Sequence, residues 1–235
     1  MPTVSRRTAA FAGVRKISPF MVIAGPFGLI YGVTATEAGV SNFTAIAASF
    51  LIMGGAAQIA LMELIGDGSS WAVAVATAIV INLRFMLYSA SVAAAFADFP
   101  ALLRYPLAHG LTDQASIVSL QEWQTQKDPR YRLWFFIGAS IVFATPWWIG
   151  TIIGVLLGGE IGPSWQLPFA VPTTFIALLV PSIRNRPMLI AAIIGAGAAV
   201  GLAFLPSGLN IIIGALAGIT AGTIATPLPA AEAAP

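Results

Sequence analysis

The sequence predicts an all-α, polytopic membrane protein, and three observations carry that reading. The chain cannot wet a surface: of its 235 residues 58% are hydrophobic and 9% charged, where a soluble domain has about 25% charged. Mean hydropathy is +0.89. The apolar residues also fall into runs of about 20, the length a helix needs to cross the hydrocarbon core. Short polar or Gly/Pro/Ser joints separate these runs. Lipid offers backbone N–H and C=O groups no partner, so each run is read as helix.

In chain order, residues 1–16 carry Arg6, Arg7, Arg15 and Lys16 and are read as a basic cytoplasmic tail. Ser5-Arg6-Arg7 has a faint look of a twin-arginine signal, but Arg15 and Lys16 interrupt the apolar core that should follow. Residues 17–226 form one transmembrane domain, with spans expected at 17–38, 43–65, 71–97, 131–158, 166–183, 188–205 and 208–226. Residues 227–235 are Ala/Pro-rich and read as a disordered tail. An eighth segment is at issue in 100–123. Lys127, Arg130 and Arg132 should share the cytoplasm with the N-terminus, as should Arg184 and Arg186. Three spans before residue 127 violate that and four satisfy it, so 100–123 is expected to cross or re-enter the membrane. The count is therefore seven or eight.

Two patterns suggest how these helices associate. "PFGLIYG" (26–32), followed by Glu37-Ala38-Gly39-Val40-Ser41, resembles "PWWIGTIIG" (146–154), followed by Glu160-Ile161-Gly162-Pro163-Ser164. Internal repeats with Gly/Pro-interrupted helices are a habit of transporters. Glycines also recur every fourth residue, at Gly28/Gly32, Gly150/Gly154/Gly158, Gly197/Gly201 and Gly214/Gly218/Gly222. Such Cβ-free stripes let helices approach closely, within the chain or against a partner. The last stripe is expected to meet a small partner or a second copy of the chain.

Several chemistries are excluded. The net charge of +2 is too small and scattered for nucleic acid, and there is no cysteine and one histidine, His109, for a metal centre. No P-loop, G-x-S-x-G or H-E-x-x-H occurs, and both lysines, Lys16 and Lys127, lie outside the spans. No catalytic residue, cofactor or metal is assigned, and an enzyme is not expected.

Arg84 is the residue that asks for an explanation. It is the only charge between Trp71 and Phe96. A guanidinium at bilayer depth costs at least about 2.5–3.5 kcal/mol, so it must face protein or water. Thr77, Arg84, Tyr88 and Ser91 share one helix face; Asn82 lies on the other side unless the helix breaks near it. Arg84 is either a strut paired with a buried acid or part of a transport path. Gln58, in "GGAAQIALMEL", must satisfy its amide by an inter-helix bond or a ligand. Pro26-Phe27-Gly28, in mid-span, is either a simple kink or a break that frees backbone groups for a zwitterion. Asp113 is either a helix N-cap or a buried acid that pairs with Arg84, holds an ammonium or carries a proton.

"PFGLIYGVTATEAGVS", "MGGAAQIALMELI", "INLRFMLYSAS" and "HGLTDQAS", in that order, resemble the AzlC family, the large subunit of branched-chain amino acid exporters. "WWIGTIIGVLLG" and "PFAVPTTFIALLVP" resemble its second half. The resemblance covers nearly the whole chain; Gln114 departs from it, standing where the family usually has Glu. It implies proton-driven export of an apolar amino acid across the cell's inner membrane, with a small AzlD-type membrane subunit. The residues read above combine into one expected substrate site, built from Pro26, Phe27, Gly28, Gly55, Gln58, Asn82, Arg84 and Asp113, with Asp113 the candidate proton carrier. The rival reading is a non-transporting channel or scaffold subunit braced by Arg84.

Overall fold

The protein is seen here in a computed structural model that describes residues 5–97, 99–158, 160, 173, 176, 179–180, 183–205 and 209–226. The span expected at 166–183, the repeat's second tail after Glu160 and the C-terminal tail 227–235 lie largely or wholly outside the described residues. The described elements are helical: α1 (Arg6–Ile17), α2 (Met21–Glu37), α3 (Asn42–Leu51), α4 (Gly55–Gly66), α5 (Trp71–Asn82), α6 (Arg84–Ala93), α7 (Ala101–His109), α8 (Asp113–Glu122), α9 (Pro129–Leu157), α10 (Arg186–Gly201) and α11 (Leu209–Ala225).

The polar joints act as caps. Ser41, Ser70 and Asn185 accept from the backbone N–H groups of Thr44, Val73 and Met188 at the starts of α3, α5 and α10, satisfying donors that a helix start leaves open. Gly39 and Gly68 take positive φ of 76°, which turns the chain where a side chain would be strained.

Three helical stretches are long and apolar enough to cross a membrane: Arg6–Glu37, Trp71–Phe96 and Pro129–Leu157. The first runs through α1, a 3-10 turn at Ser18–Phe20 and α2, so the basic segment is helical from Arg6 onward. It packs along α9 backbone to backbone. A methyl at Gly13 would strike the Phe135 carbonyl, one at Gly28 the Trp147 carbonyl, one at Gly32 the Thr151 carbonyl, and one at Gly150 the Gly25 carbonyl. Residue numbers rise together along the contact, so α2 and α9, the two halves of the sequence repeat, run parallel.

Two further segments fold back on themselves: 43–65, expected to cross, and 100–123, expected to cross or re-enter. Residues 43–65 divide at Ile52–Gly54, where Ile52 is extended (φ −117°, ψ 108°). α3 and α4 form a V: Gln58 Nε2 donates to the Ala48 carbonyl across it (2.9 Å), and Gly66 returns beside Ala38. Residues 100–123 form a second V of α7 and α8, bent at Gly110–Thr112. Leu107 packs with Phe96, Trp123, Leu133 and Phe136, Gly110 abuts Ser140, and Glu122 returns to Tyr131. The two hairpins enter from opposite ends of the bundle. Asn82 covers Gly54 and Phe96 meets Phe136 edge to face, so α5–α6 runs from one end to the other between them. Two crossings thus suffice before Lys127. Lys16 pairs with Glu122, and Arg6 lies over the Trp134 ring. Most of the chain's basic residues therefore gather at one end, which the charge rule assigns to the cytoplasm.

α10 and α11 form an antiparallel hairpin, and here the expected glycine interface is corrected. A methyl at Gly218 would sit 2.7 Å from the Ala191 carbonyl, and one at Gly214 2.8 Å from the Gly195 carbonyl. The stripe is spent inside the chain because close approach of α10 already uses it.

Candidate functional site

The tips of both hairpins and the turn in the crossing helix meet at one cavity of about 100 Å³. Its neighbours on α9 are Phe143, Ala144 and Trp147. Phe143 is equidistant from Pro129 and Leu157, so the cavity lies half-way along a helix about 44 Å long. Gly55, Arg84 and Asp113, which line it, are the first residues of α4, α6 and α8. α2 contributes Ile23, Ala24 and Phe27, and the bend of the first hairpin contributes Met53.

Arg84 Nη1 stands 3.0 Å from Asp113 Oδ2, with the two side chains 32% and 27% exposed. The guanidinium also lies over the Phe85 ring at 5.3 Å. Arg84 Nε and Asp113 Oδ1 are shielded yet have no hydrogen-bond partner, so the pair keeps unused donors and an unused acceptor. Thr112, whose Oγ1 accepts from Ala115 N–H, is the N-cap of α8. Asp113 is therefore free of the capping role the sequence left open. At α4 the N-cap is Gly54, with no side chain to bond the first N–H groups. Those amides carry the partial positive charge of a helix start.

The structure brings Phe27, Gly55, Arg84 and Asp113 together and places the other expected site residues around them. α2 runs on through Pro26, which selects the kink over the break of the two readings the sequence left open. Gly28 is used for contact with the Trp147 carbonyl. Gln58 is 2% exposed and holds α3 to α4 across the hairpin; its Oε1 is unpartnered. Asn82 presses its amide on Gly54, within 2.7 Å of where a Cβ would stand, and so braces the hairpin tip. The helix tightens beside it: Leu83 is a turn with helical backbone angles, and Met86 N–H bonds the Leu83 carbonyl at 3.0 Å.

Sequence reasoning missed Met53, Phe85, Phe143 and Trp147. Met53, Phe85 and Trp147 fell inside quoted stretches without being singled out, Trp147 as the residue after Pro146 in the repeat. A methyl at Gly55 would come within 2.7 Å of its ring, so the glycine of "GGAAQ" is what lets that indole reach the cavity. Gln114 also lines it, leaving Asp113 the one carboxylate among the described lining residues.

Comparison with known proteins agrees with a membrane protein. The AzlC protein family matches residues 19–161, more than half of the chain. An uncharacterized membrane protein of Archaeoglobus fulgidus is 30% identical over 234 residues, covering 97% of each chain. The inner membrane protein YgaZ of Escherichia coli is 27% identical over 90% of this chain and 87% of its own. An uncharacterized membrane protein of Helicobacter pylori is 25% identical over about two thirds of each. No solved structure matches. The chain is a multi-pass membrane protein of the AzlC family, a membership that suggests a role related to membrane transport.

Proposed function

We propose that this chain is the transport subunit of a secondary exporter of branched-chain or related apolar amino acids, coupled to the proton gradient and working with a small AzlD-type subunit. The observation that carries the reading is the Arg84–Asp113 pair, closed across an apolar cavity half-way through the bundle where two opposed hairpins meet. Guanidinium binds a carboxylate in bidentate fashion. A substrate carboxylate therefore competes with Asp113 for Arg84, helped by the uncapped amides of α4. Phe27, Met53, Phe143 and Trp147 receive the apolar side chain.

Proton coupling follows from cost. An Asp113 displaced from Arg84 is an unpaired carboxylate at mid-depth, and a charge left so is expensive. It then takes a proton or holds the substrate ammonium. Each hairpin closes the cavity from one end, so withdrawing one tip opens one side only, as alternating access requires. The test is counterflow of radiolabelled leucine, isoleucine, valine and methionine in proteoliposomes holding the chain with its co-purifying subunit. Exchange above that of empty vesicles is expected; none for any apolar amino acid would refute the reading.

The same ion pair supports a second reading, a scaffold or channel subunit in which Arg84 and Asp113 only brace the hairpin. It predicts no substrate-dependent flux.

A further inference from the structure

We propose that the α7–α8 hairpin is the moving gate of the cavity, while the α3–α4 hairpin is a fixed wall that shifts only together with α2 and α9. This rests on the transport reading above and names the part that moves in it.

The two hairpins reach the cavity alike but are held differently. α3 is tied to both long helices. The buried Tyr31 hydroxyl of α2 donates to the Ala45 carbonyl at 3.1 Å. On α9, Thr151 Oγ1 and Ser49 Oγ, both buried, share a hydrogen bond at 3.0 Å, and Trp148 Nε1 donates to the Ser49 carbonyl at 3.3 Å. Rings add to these bonds: Phe50 stacks on Trp148 with centroids 4.7 Å apart, and Tyr31 on Trp147 at 5.6 Å. Gln58 then fastens α4 to α3. Drawing this hairpin away from α2 and α9 would leave hydroxyls, an indole N–H and carbonyls unpaired where lipid offers no replacement.

The tip of α7–α8 has no such fastening. Among the described residues, no side-chain hydrogen bond runs from residues 101–118 to α2, α3, α4 or α9; Thr112 Oγ1 and Ser116 Oγ bond within their own helix turn. Toward α9 the tip offers close contact without hydrogen bonds: Gly110 lies against Ser140, and Leu107 and Leu111 pack with Phe136. Such contact is non-directional and survives a small slide. The ionic tie of the tip is Asp113 to Arg84, on α6, and a substrate carboxylate takes over that guanidinium. The other end of α8 is anchored. Glu122 accepts from the Tyr131 hydroxyl at 3.0 Å and pairs with Lys16 at 3.3 Å, and Arg132 Nε donates to the Gln126 carbonyl at 2.8 Å. α8 is thus a lever about 15 Å long, held at the basic end and released at the cavity. Its release opens the cavity toward the basic end.

The test locks each hairpin in turn in the cysteine-free chain, with its co-purifying subunit in proteoliposomes. A Cβ on Gly110 would stand 2.9 Å from Ser140 Cβ, close to disulfide reach, so Gly110→Cys with Ser140→Cys ties the gate to α9. Ser49→Cys with Thr151→Cys ties the wall, where the hydroxyls are 3.0 Å apart. Each pair is oxidised with copper phenanthroline, or bridged with mercuric ion where free thiols remain. Locking should cut leucine counterflow by roughly tenfold or more in the Gly110/Ser140 pair, with recovery in dithiothreitol, and by less than about twofold in the Ser49/Thr151 pair. As a second measure, leucine should speed maleimide labelling of the single variant Ser140→Cys, which the departing tip uncovers, and leave that of Thr151→Cys unchanged. Counterflow lost in the locked Ser49/Thr151 pair, or kept in the locked Gly110/Ser140 pair, would overturn the proposal. So would leucine-dependent labelling at Thr151→Cys with none at Ser140→Cys. A wild-type protein without counterflow would instead overturn the transport reading, before any variant is made.

Discussion

Arg84 and Asp113 form a 3.0 Å ion pair, and each is the first residue of its helix. Turns in three segments therefore converge on one pair of opposite charges. The pair is incompletely satisfied, with Arg84 Nε and Asp113 Oδ1 unpartnered. A strut gains most when every donor is used; a site that exchanges partners needs spare ones.

The hairpins make a topological prediction that differs from counting spans. Ser41 and Ser69 flank the α3–α4 hairpin. In the cysteine-free chain, Ser41→Cys and Ser69→Cys should both react with an impermeant thiol reagent outside whole cells. Ser5→Cys, Thr125→Cys and Asn185→Cys should be protected. Labelling of Ser41→Cys but not Ser69→Cys would mean that the segment crosses.

Close packing of α2 on α9 should be intolerant of one methyl. Gly28→Ala and Gly150→Ala push a Cβ into a rigid backbone carbonyl. Each should destabilise by about 1–3 kcal/mol, read as a lower Tm in detergent. Gly197→Ala, with nothing within 4 Å of its Cβ, should be neutral or slightly stabilising. Equal effects at all three would contradict the packing.

The α10–α11 hairpin should depend on Gly218. Gly218→Leu drives a side chain into the Ala191 backbone and should lower Tm in detergent and loosen the hairpin. Gly201→Leu, which meets nothing within 4 Å, should do neither. An undisturbed hairpin with Gly218→Leu would show that the stripe faces outward after all.

Gly55 should set the size of the apolar subsite. Gly55→Ala must displace the Trp147 ring. If that ring moves into the cavity, leucine should lose affinity relative to valine by roughly tenfold, the discrimination one methylene supplies. Competition counterflow measures it, and an unchanged ratio would remove Trp147 from the substrate wall.

The membrane class and most helix ends were legible in the sequence because composition and capping residues act locally: Ser41, Ser70 and Asn185 cap where the joints lie. The basic residues also carried the parity of the topology. What they could not carry was the difference between a span and a hairpin. The apolar run 43–65 is long enough to cross, and its reversal at Met53–Gly54 depends on Asn82 and Ala48, contacts remote in sequence. Pro26 was undecided in the sequence because proline signals a lost hydrogen bond without telling a kink from a break; α2 continues through it, packed on α9. Arg84 and Asp113 could be singled out by the cost of charge in lipid; Phe143 and Trp147 could not, since apolar residues there resemble any others.

The most direct test of the ion-pair site is leucine counterflow by the double variant Arg84→Met with Asp113→Asn, beside both single variants and Arg84→Lys. A carboxylate-binding role for Arg84 predicts that all four insert and purify normally and that none exchanges leucine, Arg84→Lys included, because an ammonium cannot copy the bidentate fork. A double variant that regains the exchange its single variants lose would contradict that role and leave Arg84 a strut.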